Sequence, residues 1–398
     1  MKIELLAPAG DINKLEIALL YGADAVYVGG THFGLRAMSG NFDEKGLRDA
    51  VKTVHAQGKK IYVTLNIFAR NHDFPKLIKY AKFLESINVD AVIVSDLGVL
   101  NAVRENTKLD IHISTQANVV NKFTAEQYVK MGAKRIILAR ECNISEIREI
   151  AEHLKGRAEI EVFVHGAMCI SYSGRCMLSD YMNGKDRSSN RGACTQPCRF
   201  KYYLTEEKRK EQYFEIQEDA NGTYIMNSRD LALINHLDEL ADAGVTSFKI
   251  EGRTKTEYYV AGVTNVYRRA MNGEKFDYIK ELEKVHHRPY TTGFLFDESS
   301  LPATRQYTDS AAQQSTHLFV AIVIDDNNTI QQRNLFCVGD TLEILSPTSS
   351  FNKTFTVTQM TNKKGEPITR AQRVKEIITI KCPHVLRKGD ILRKRISN

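Results

Sequence analysis

Residues 21–30, YGADAVYVGG, carry the pattern that decides the fold. A helix ends, a small or polar step follows, and a β-branched run then predicts a buried strand. The pattern returns at 87–96 (INVDAVIVSD), 131–140 (MGAKRIILAR) and 243–252 (AGVTSFKIEG). A unit of helix and strand that recurs along a chain predicts a parallel sheet whose strands alternate with helices.

Outward from this repeat, eight stretches have the composition of buried strands. They lie at 3–7, 25–29, 60–66, 91–95, 110–115, 135–139, 159–164 and 247–251. Eight strands separated by helices imply a closed parallel (β/α)8 barrel of the TIM type, which we place at residues 1–274. An open doubly wound sheet is the alternative. It is disfavoured because the first loop contains no glycine-rich dinucleotide fingerprint.

The seventh strand leads into a cysteine-rich insertion, residues 166–226. Four of the seven cysteines lie there, in sequence rich in Gly, Ser and Asn: Cys169, Cys176, Cys194 and Cys198. Their separations of six, seventeen and three residues differ from the paired spacing of structural zinc, and irregularly spaced thiolates more often hold an iron–sulfur cluster. Structural zinc stays an alternative. Disulfides are a weaker one, because cytosolic thiols stay reduced.

The remaining sequence predicts further elements and a second domain. Alternating segments at 200–205, 213–217 and 223–226 predict a hairpin before a helix at 231–243. The pattern at 275–316 indicates a helix followed by a linker, and residues 317–398 change to short alternating strands that predict a small all-β barrel domain. We interpret Cys142 as structural and Cys337 and Cys382 as core thiols.

The second domain also has a basic edge. Its cations are Lys353, Lys363, Lys364, Arg387, Lys388, Arg393, Lys394 and Arg395. Such an edge is compatible with contact to a phosphate backbone. It is equally compatible with a solvated, lysine-rich edge that prevents strands of different molecules from pairing.

Side chains at the carboxyl ends of barrel strands face the reaction centre, and this rule selects candidate site residues. The candidates include Asn66, Gln116, Arg140, Glu141, His165, Glu251 and Arg253. Asp96 is equally compatible with a helix cap, and His165 with a hydrogen-bonded core histidine. Charged groups at a barrel mouth are costly unless they are paired or bind an anion.

Composition indicates a soluble cytoplasmic protein. The chain has 398 residues and a formal net charge of +7, which is compatible with RNA as a partner but does not require it. No apolar run approaches the roughly 20 residues that span a bilayer. The N-terminal MKIELLAPAG enters a strand pattern at once, so we expect no targeting segment.

Several motifs together resemble the peptidase U32 family: ELLAPAG, GADAVYVGG, EVFVHGAMCISYSGRCMLS, NRGACTQPCR, KIEGR and HHRPYTTGF. The resemblance implies an oxygen-independent hydroxylase, because members of the family hydroxylate tRNA, ribosomal RNA or a ubiquinone precursor. Chain length and the added β domain place the chain nearest the branch that makes 5-hydroxyuridine at the wobble position of tRNA.

The resemblance also implies a cofactor and a donor. The cofactor is a [4Fe–4S] cluster with Cys169, Cys176, Cys194 and Cys198 as ligands, and the co-substrate is prephenate. We expect a small dicarboxylate donor to bind Arg140, Lys249 and Arg253, because guanidinium groups bind carboxylates in a bidentate fork. The residues expected to move protons are Glu141, His165 and Glu251. The RNA base is expected to contact Asn66 and Gln116 and to stack on Tyr172 or Tyr181.

Two other functions stay open. A peptidase would match the name of the family, but neither a G-x-S-x-G elbow nor an H-E-x-x-H motif occurs. An RNA-binding module with a structural metal site is the other, although it leaves the charged barrel mouth without a purpose. A paralogous partner subunit is a further expectation, and we expect no membrane partner.

Overall fold

A computed structural model of the chain describes residues 3–35, 40–169, 171–199, 218–219, 222–223, 228–296 and 313–396. The predicted strands at 200–205 and 213–217, and most of 223–226, lie outside these residues. Contacts divide the chain into two compact units. The first comprises Met1–Leu15, Asp24–Lys255 and Arg288–Gln313, and the second comprises Glu16–Ala23, Thr256–His287 and Gln314–Asn398.

The first unit is the closed parallel barrel that the repeat predicts. Its first seven strands are β1 Glu4–Pro8, β2 Ala25–Gly29, β3 Lys60–Leu65, β4 Ala91–Val94, β5 Asp110–Ile113, β6 Arg135–Ile137 and β7 Glu159–Ala167. The later strands of this unit are β8 Glu218–Asp219, β9 Gly222–Thr223, β10 Asp230–Ala232, β11 Ser247–Ile250 and β12 Tyr290–Thr291. Strand β11 pairs in parallel with both β1 and β7, which closes the ring.

Helices follow the barrel strands, and short polar side chains begin many of them. They are α1 Ile12–Leu20, α2 Glu44–His55, α3 Phe74–Ser86, α4 Leu97–Asn106, α5 Lys122–Lys130, α6 Ile144–Leu154, α7 Leu178–Asn183 and α8 Leu237–Asp242. The Asp96 carboxylate accepts a hydrogen bond from the backbone N–H of Val99 at 3.0 Å, so this residue caps α4. Asn143 and Glu146 form a capping box at the start of α6.

Strand β7 is longer than predicted, and its extension pairs with a segment that the sequence pattern assigns to a helix. The residues beyond 164 pair antiparallel with β10, where Ala167 lies opposite Asp230. The predicted helix at 231–243 is therefore wrong in its first half, since residues 230–232 are a strand and α8 begins at Leu237. Sheet pairing outweighs the helix propensity of this leucine-rich stretch.

Among the described residues, the second unit contains the end of α1, two further helices and the antiparallel β domain. The helices are α9 Glu257–Met271 and α10 Tyr278–Leu282, and α10 is the helix predicted at the start of residues 275–316. The strands are β13 His317–Val323, β14 Thr329–Gln332, β15 Phe336–Cys337, β16 Thr341–Leu345, β17 Thr354–Thr356, β18 Met360–Asn362, β19 Pro367–Ile368, β20 Arg370–Ala371, β21 Ile377–Ile380 and β22 Ile391–Arg395. Eight of them form one antiparallel half-barrel sheet in the order β17-β16-β22-β13-β14-β21-β18-β19.

The core of the β domain contains one buried cluster that includes Val320, Phe336, Ile344 and Leu392. Cys382 packs against this cluster, in keeping with its interpretation as a core thiol. The prediction that Arg393 belongs to the basic edge is wrong, because its side chain is fully buried.

The Arg393 guanidinium donates to Glu343 Oε1 at 2.7 Å and also contacts Glu281.

In the described parts of the chain, none of the helices combines the length and the apolar character that crossing a bilayer requires.

Candidate active site

A cavity of about 270 Å³ lies at the carboxyl ends of the barrel strands. Residues at the ends of β3, β4, β6 and β11 line it, together with the segment 168–199 that follows β7. Most of the predicted site residues line this one cavity: Asn66, Gln116, Arg140, Glu141, Cys169, Cys176, Cys194, Cys198, Lys249, Glu251 and Arg253. A barrel site in this position is the common location for chemistry in this architecture.

The four cysteines are free thiols on the same wall of the cavity. Burial raises the pKa of the Cys198 thiol, the adjacent Arg199 lowers it, and the neighbouring thiols Cys169, Cys194 and Cys176 raise it. The pKa of the Cys198 thiol thus depends on the other three thiols of the same segment. No three His, Cys, Asp or Glu side chains among the described residues already have a metal-holding arrangement.

Backbone amides point at two of these sulfurs. The N–H of Leu178 donates to Cys176 Sγ at 3.3 Å, and the N–H of Gln196 donates to Cys194 Sγ at 3.3 Å. Hydrogen bonds of this kind favour the charged thiolate, and they tune the sulfur ligands of clusters. The local backbone thus suits two thiolates that bind a positive centre.

An ion pair attaches the cysteine segment, residues 168–199, to the loop after β3. Arg191 Nη1 lies 2.7 Å from Asp73 Oδ2 and donates to the carbonyl of Phe68 at 3.1 Å. The neighbouring Asn190 accepts from the Phe68 N–H through its backbone carbonyl and donates to the carbonyl of Cys176 through its amide. These bonds position Cys176 relative to the barrel.

Glu141 holds the same segment from the other side. Its carboxylate accepts from the backbone N–H of Ser173 at 2.7 Å and from the Ser173 hydroxyl at 3.2 Å. Ser173 has a φ of 48°, a left-handed conformation that few L-residues adopt without support. Glu141 therefore stabilises a strained turn between Cys169 and Cys176.

Arg140 and Glu251 form a charged pair inside the cavity. Arg140 Nη2 lies 3.5 Å from Glu251 Oε2, and both side chains are mostly buried, at 15% and 17% exposure. Arg140 also donates to the carbonyl of Ala167 at 2.7 Å and stacks over the Phe163 ring at 3.9 Å. The guanidinium has a fixed orientation, with its charge at the end of β7.

Two glycines make room for Arg253. A Cβ on Gly29 would lie 1.9 Å from Arg253 Nη1, and one on Gly10 would lie 2.2 Å from the Arg253 carbonyl. The buried guanidinium donates to Thr64 Oγ1 at 3.3 Å and to the carbonyl of Leu35. Gly29 at the end of β2 and Gly10 in the loop after β1 are glycine because the side chain and the backbone of Arg253 occupy the space of a methyl group.

Asn66 and Gln116 form a polar bridge between the ends of β3 and β5. The Asn66 amide donates to Gln116 Oε1 at 2.6 Å, while its own oxygen accepts from the N–H of Leu35 at 3.1 Å. The Ser114 hydroxyl donates to the same Gln116 oxygen at 2.9 Å. These bonds orient both amides toward each other along the cavity wall.

Lys249 lines the cavity and belongs to a buried ionic network. Its Nζ lies 2.7 Å from Glu161 Oε1, and the other oxygen of Glu161 lies 2.9 Å from Arg135 Nη1. Arg135 also contacts Glu4 at 2.6 Å and Glu159 at 2.5 Å. Burial lowers the pKa of Lys249, whereas Glu161 opposes this effect. Lys249 is thus a paired cation of the interior as well as a wall residue.

Sequence reasoning missed two cations of the cavity, Arg199 and Lys255. Burial lowers the pKa of both side chains, and the nearby Arg288 lowers each further. Arg288 itself is paired with Asp230, at 2.6 Å between Nη2 and Oδ1. Their positions gave a signal, since Arg199 directly follows Cys198 and Lys255 is two residues beyond the selected Arg253.

His165, Tyr172 and Tyr181 were predicted for the site but do not line the cavity. His165 is buried at the end of β7, with its ring 5.5 Å from the Tyr290 ring, as expected for a core histidine. Tyr172 is 55% exposed on the outer side of the cysteine segment, and Tyr181 is 85% exposed. Both tyrosines present aromatic surface to solvent.

The fold and the site define a class: (β/α)8 barrel proteins with a thiol- and cation-lined cavity at the strand ends and an added β domain. The model of peptidase family U32 matches residues 10–304, and that of the U32 C-terminal domain matches residues 315–393. The chain therefore belongs to peptidase family U32.

Three curated relatives share this organisation in whole or in part. tRNA hydroxylation protein P of Escherichia coli (strain K12) is 38% identical, over 92% of this chain and 90% of that protein. tRNA hydroxylation protein P1 of Bacillus subtilis (strain 168) is 37% identical, over 99% of this chain and 95% of that protein. P2 of the same organism is 35% identical, over 75% of this chain and 99% of that protein.

Proposed function

We propose that this chain is a tRNA-modifying enzyme that hydroxylates the wobble uridine to 5-hydroxyuridine without molecular oxygen. The observation that carries the proposal is a single cavity that combines four thiols with five cations. Relatives named tRNA hydroxylation proteins match nearly the whole chain, the β domain included, and support tRNA as the substrate. We place the enzyme in the cytoplasm, where its substrate is made.

A [4Fe–4S] cluster is the cofactor that we propose for the thiol wall. Cys169, Cys176, Cys194 and Cys198 would hold it, and their shared cavity, mutual charge effects and N–H···S hydrogen bonds fit this role. When bound, such a cluster supplies one-electron chemistry or a Lewis-acidic iron. A structural zinc ion fits the same donors, so metal analysis separates the two.

The oxygen donor that we propose is a small dicarboxylate derived from prephenate. Five cations line the cavity, namely Arg140, Arg199, Lys249, Arg253 and Lys255, against the carboxylates Glu141 and Glu251. This excess of positive charge in a partly buried site favours an anionic ligand, and guanidinium groups bind a carboxylate through two parallel hydrogen bonds.

Glu251 is the group that we propose to move protons. It lies within the cavity beside Arg140, where its carboxylate can reach a bound ligand. Glu141 is committed to Ser173 and acts by positioning the cysteine segment. His165, a candidate for the same role from its place in the sequence, lies outside the cavity wall, and we assign it no chemical step.

The uridine reaches this cavity from a single-stranded loop. A base in such a loop can leave its stack and be held by aromatic side chains. The exposed rings of Tyr172 and Tyr181 on the cysteine segment offer that surface, and the bridged amides of Asn66 and Gln116 offer hydrogen bonds inside. A paralogous subunit is the protein partner that we propose; Bacillus subtilis (strain 168) has both a P1 and a P2 relative of this chain.

The peptidase alternative needs a nucleophile beside a general base. In the described part of the chain, no histidine lines the cavity. The thiols of the cavity are the candidate nucleophiles, and a cluster would occupy all four of them. We therefore keep hydroxylation as the proposed function.

The test is the nucleoside composition of tRNA. In a strain that lacks this gene and any paralogue, mass spectrometry of digested tRNA should show the loss of 5-hydroxyuridine at the wobble position. The wild-type gene and a Cys142→Ala control should restore it, because the Cys142 thiol is buried outside the cavity. Cys198→Ala should not restore it. Unchanged 5-hydroxyuridine in the deletion strain would refute the proposal.

A further inference from the structure

The positive charge of this protein is concentrated in one fifth of its sequence. Residues 317–398 contain thirteen Lys and Arg against seven Asp and Glu, a net charge of +6, whereas the whole chain carries +7. The barrel and the connecting segments are thus almost neutral. The concentration of positive charge in this one domain therefore needs an explanation that is separate from the chemistry of the barrel.

Four of these cations are buried or paired with a carboxylate, so they are not available to an external ligand. Arg393 is buried among carboxylates, Arg333 pairs with Glu257 at 2.9 Å and Lys394 with Asp340 at 2.7 Å. Arg387 contacts Asp326 at 3.4 Å. The remaining cations are all exposed: Lys353, Lys363, Lys364, Arg370, Arg373, Lys375, Lys381, Lys388 and Arg395.

The sheet topology brings four of the exposed cations to one end of the domain. Lys363 and Lys364 lie in the turn after β18, and Arg373 and Lys375 lie in the loop before β21. Strands β18 and β21 are antiparallel and Asn362 is opposite Ile378, so this turn and this loop leave the sheet at the same end. We name these four residues the cationic end.

The backbone of the cationic end is ordered by local hydrogen bonds. Asn362 Oδ1 accepts from the N–H of Lys364 at 2.9 Å, and the Lys375 N–H donates to the carbonyl of Gln332 at 3.1 Å. The nearby Glu366 carboxylate accepts from the Asn362 amide at 2.8 Å. The cations therefore extend from fixed positions, with one engaged carboxylate in the turn.

Exposed cations on fixed loops suit a ligand whose charge is spread over many groups. A small anion is held by convergent, partly buried donors, whereas a nucleic-acid backbone is bound by separate Lys and Arg contacts to successive phosphates. We propose that the cationic end binds phosphates of an RNA outside the base that reacts. This inference rests on the proposed function for the identity of the RNA, which is tRNA.

The test compares two quadruple variants of the full-length protein. One is Lys363→Ala/Lys364→Ala/Arg373→Ala/Lys375→Ala. The control is Lys82→Ala/Lys108→Ala/Lys134→Ala/Lys155→Ala, which removes the same charge from exposed barrel lysines. The affinity for an unmodified tRNA transcript is measured by fluorescence anisotropy over a range of KCl concentrations, and circular dichroism confirms that both variants are folded.

The cationic-end variant should bind about tenfold or more weakly at 0.1 M salt, and its slope of log Kd against log[KCl] should fall by about 3, since each phosphate contact contributes roughly 0.7–0.9. The control should match the wild type. The pair Lys363→Ala/Lys364→Ala should give about half the change in slope. Equal slopes for the two quadruple variants would overturn the inference. So would weakened binding to phosphatidylserine vesicles with tRNA affinity unchanged.

Hydroxylation is measured in parallel at saturating tRNA. The cationic-end variant should keep the turnover of the wild type and show a raised KM for tRNA. If the wild-type protein binds tRNA through this end but forms no 5-hydroxyuridine, the proposed function fails and the binding surface stands. If hydroxylation proceeds with the same KM for tRNA in all variants, the proposed function stands and the binding role of the cationic end fails.

Discussion

The barrel contains two groups of charged side chains that differ in balance. In the interior network, Arg135 contacts Glu4, Glu159 and Glu161, and Lys249 contacts Glu161, so every cation has a carboxylate partner. The cavity wall shares Lys249 with this network, and its other cations, Arg140, Arg199, Arg253 and Lys255, outnumber the lining carboxylates Glu141 and Glu251. A balanced buried network stabilises the fold, because removal of one partner leaves the charge of the other uncompensated. We propose that the cavity wall, with its larger number of cations, binds an anion from outside.

The largest effect is expected when the interior balance is broken. Burial raises the pKa of Glu161, but Lys249 and Arg135 outweigh it and hold that pKa below its ordinary value. The substitution Glu161→Leu removes the carboxylate that neutralises Lys249 and Arg135. It should reduce the free energy of unfolding by about 3–5 kcal/mol. Urea denaturation under anaerobic conditions measures the change.

A matched control is available on the same arginine. Glu159 also contacts Arg135, but its side chain is 48% exposed. Glu159→Gln should therefore cost at most about 1 kcal/mol. Equal losses for Glu159→Gln and Glu161→Leu would contradict the distinction between a buried network and a surface pair.

The fold was predictable because it depends on a repeated local pattern. Helix ends and β-branched runs alternate around the whole barrel, and the predicted strands differ from the observed ones by a few residues. The interior network was not predicted. In β7, Glu161 lies between Ile160 and Val162, and this alternation indicated that its side chain faces into the barrel. Its partners Lys249 and Arg135 are distant in sequence, so the ion pairs could not be inferred from the local pattern.

A smaller effect is expected when one cation of the wall is displaced. In Gly29→Ala the new methyl group would collide with Arg253 Nη1, which the wild type places 1.9 Å from an ideal Cβ. The KM for the anionic donor should rise about tenfold, roughly 1.4 kcal/mol of lost binding. Steady-state hydroxylation assays at varied donor concentration measure it.

Gly40→Ala is the control for this variant. A Cβ at Gly40 would meet its nearest atom, the Gly10 carbonyl oxygen, at 3.5 Å, which is an ordinary contact. Its KM should equal that of the wild type. A donor KM that does not change in Gly29→Ala would remove Arg253 from the anion-binding wall.

Part of the site was predictable from the sequence and part was not. The rule that side chains at the carboxyl ends of barrel strands face the active site selected Arg140, Glu251 and Arg253. The position of a residue along its strand determines at which end of the barrel its side chain lies. Arg199 and Lys255 were missed because irregular loops give no periodicity from which the direction of a side chain can be inferred.

The smallest effect is expected at the attachment of the cysteine segment. The hydrogen bond from Arg191 holds the pKa of Asp73 at about 2, below the reference value of 3.8. A lowered pKa stabilises the folded state above pH 3.8, and this contribution is lost as the pH falls toward 2. Because Arg191 is 36% exposed and water screens its charge, we expect a contribution of about 0.5–1 kcal/mol.

Asp73→Asn should remove this contribution at pH 7 and have little effect near pH 2, as measured by chemical denaturation. Limited proteolysis at pH 7 should cut the cysteine segment faster. Asp326→Asn is the control, since Asp326 and Arg387 form an exposed pair. The same loss at both pH values would show that Asp73 does not act through its charge.

The central claim is that the thiol wall of the cavity holds one iron–sulfur centre. The measurement is iron and acid-labile sulfide per chain in anaerobically purified protein, for the wild type and the Cys169→Ala, Cys176→Ala, Cys194→Ala, Cys198→Ala and Cys142→Ala variants. The account predicts about four iron and four sulfide in the wild type and in Cys142→Ala, and a large loss in each of the other four. Zinc in place of iron, or iron content that does not depend on these cysteines, would contradict it.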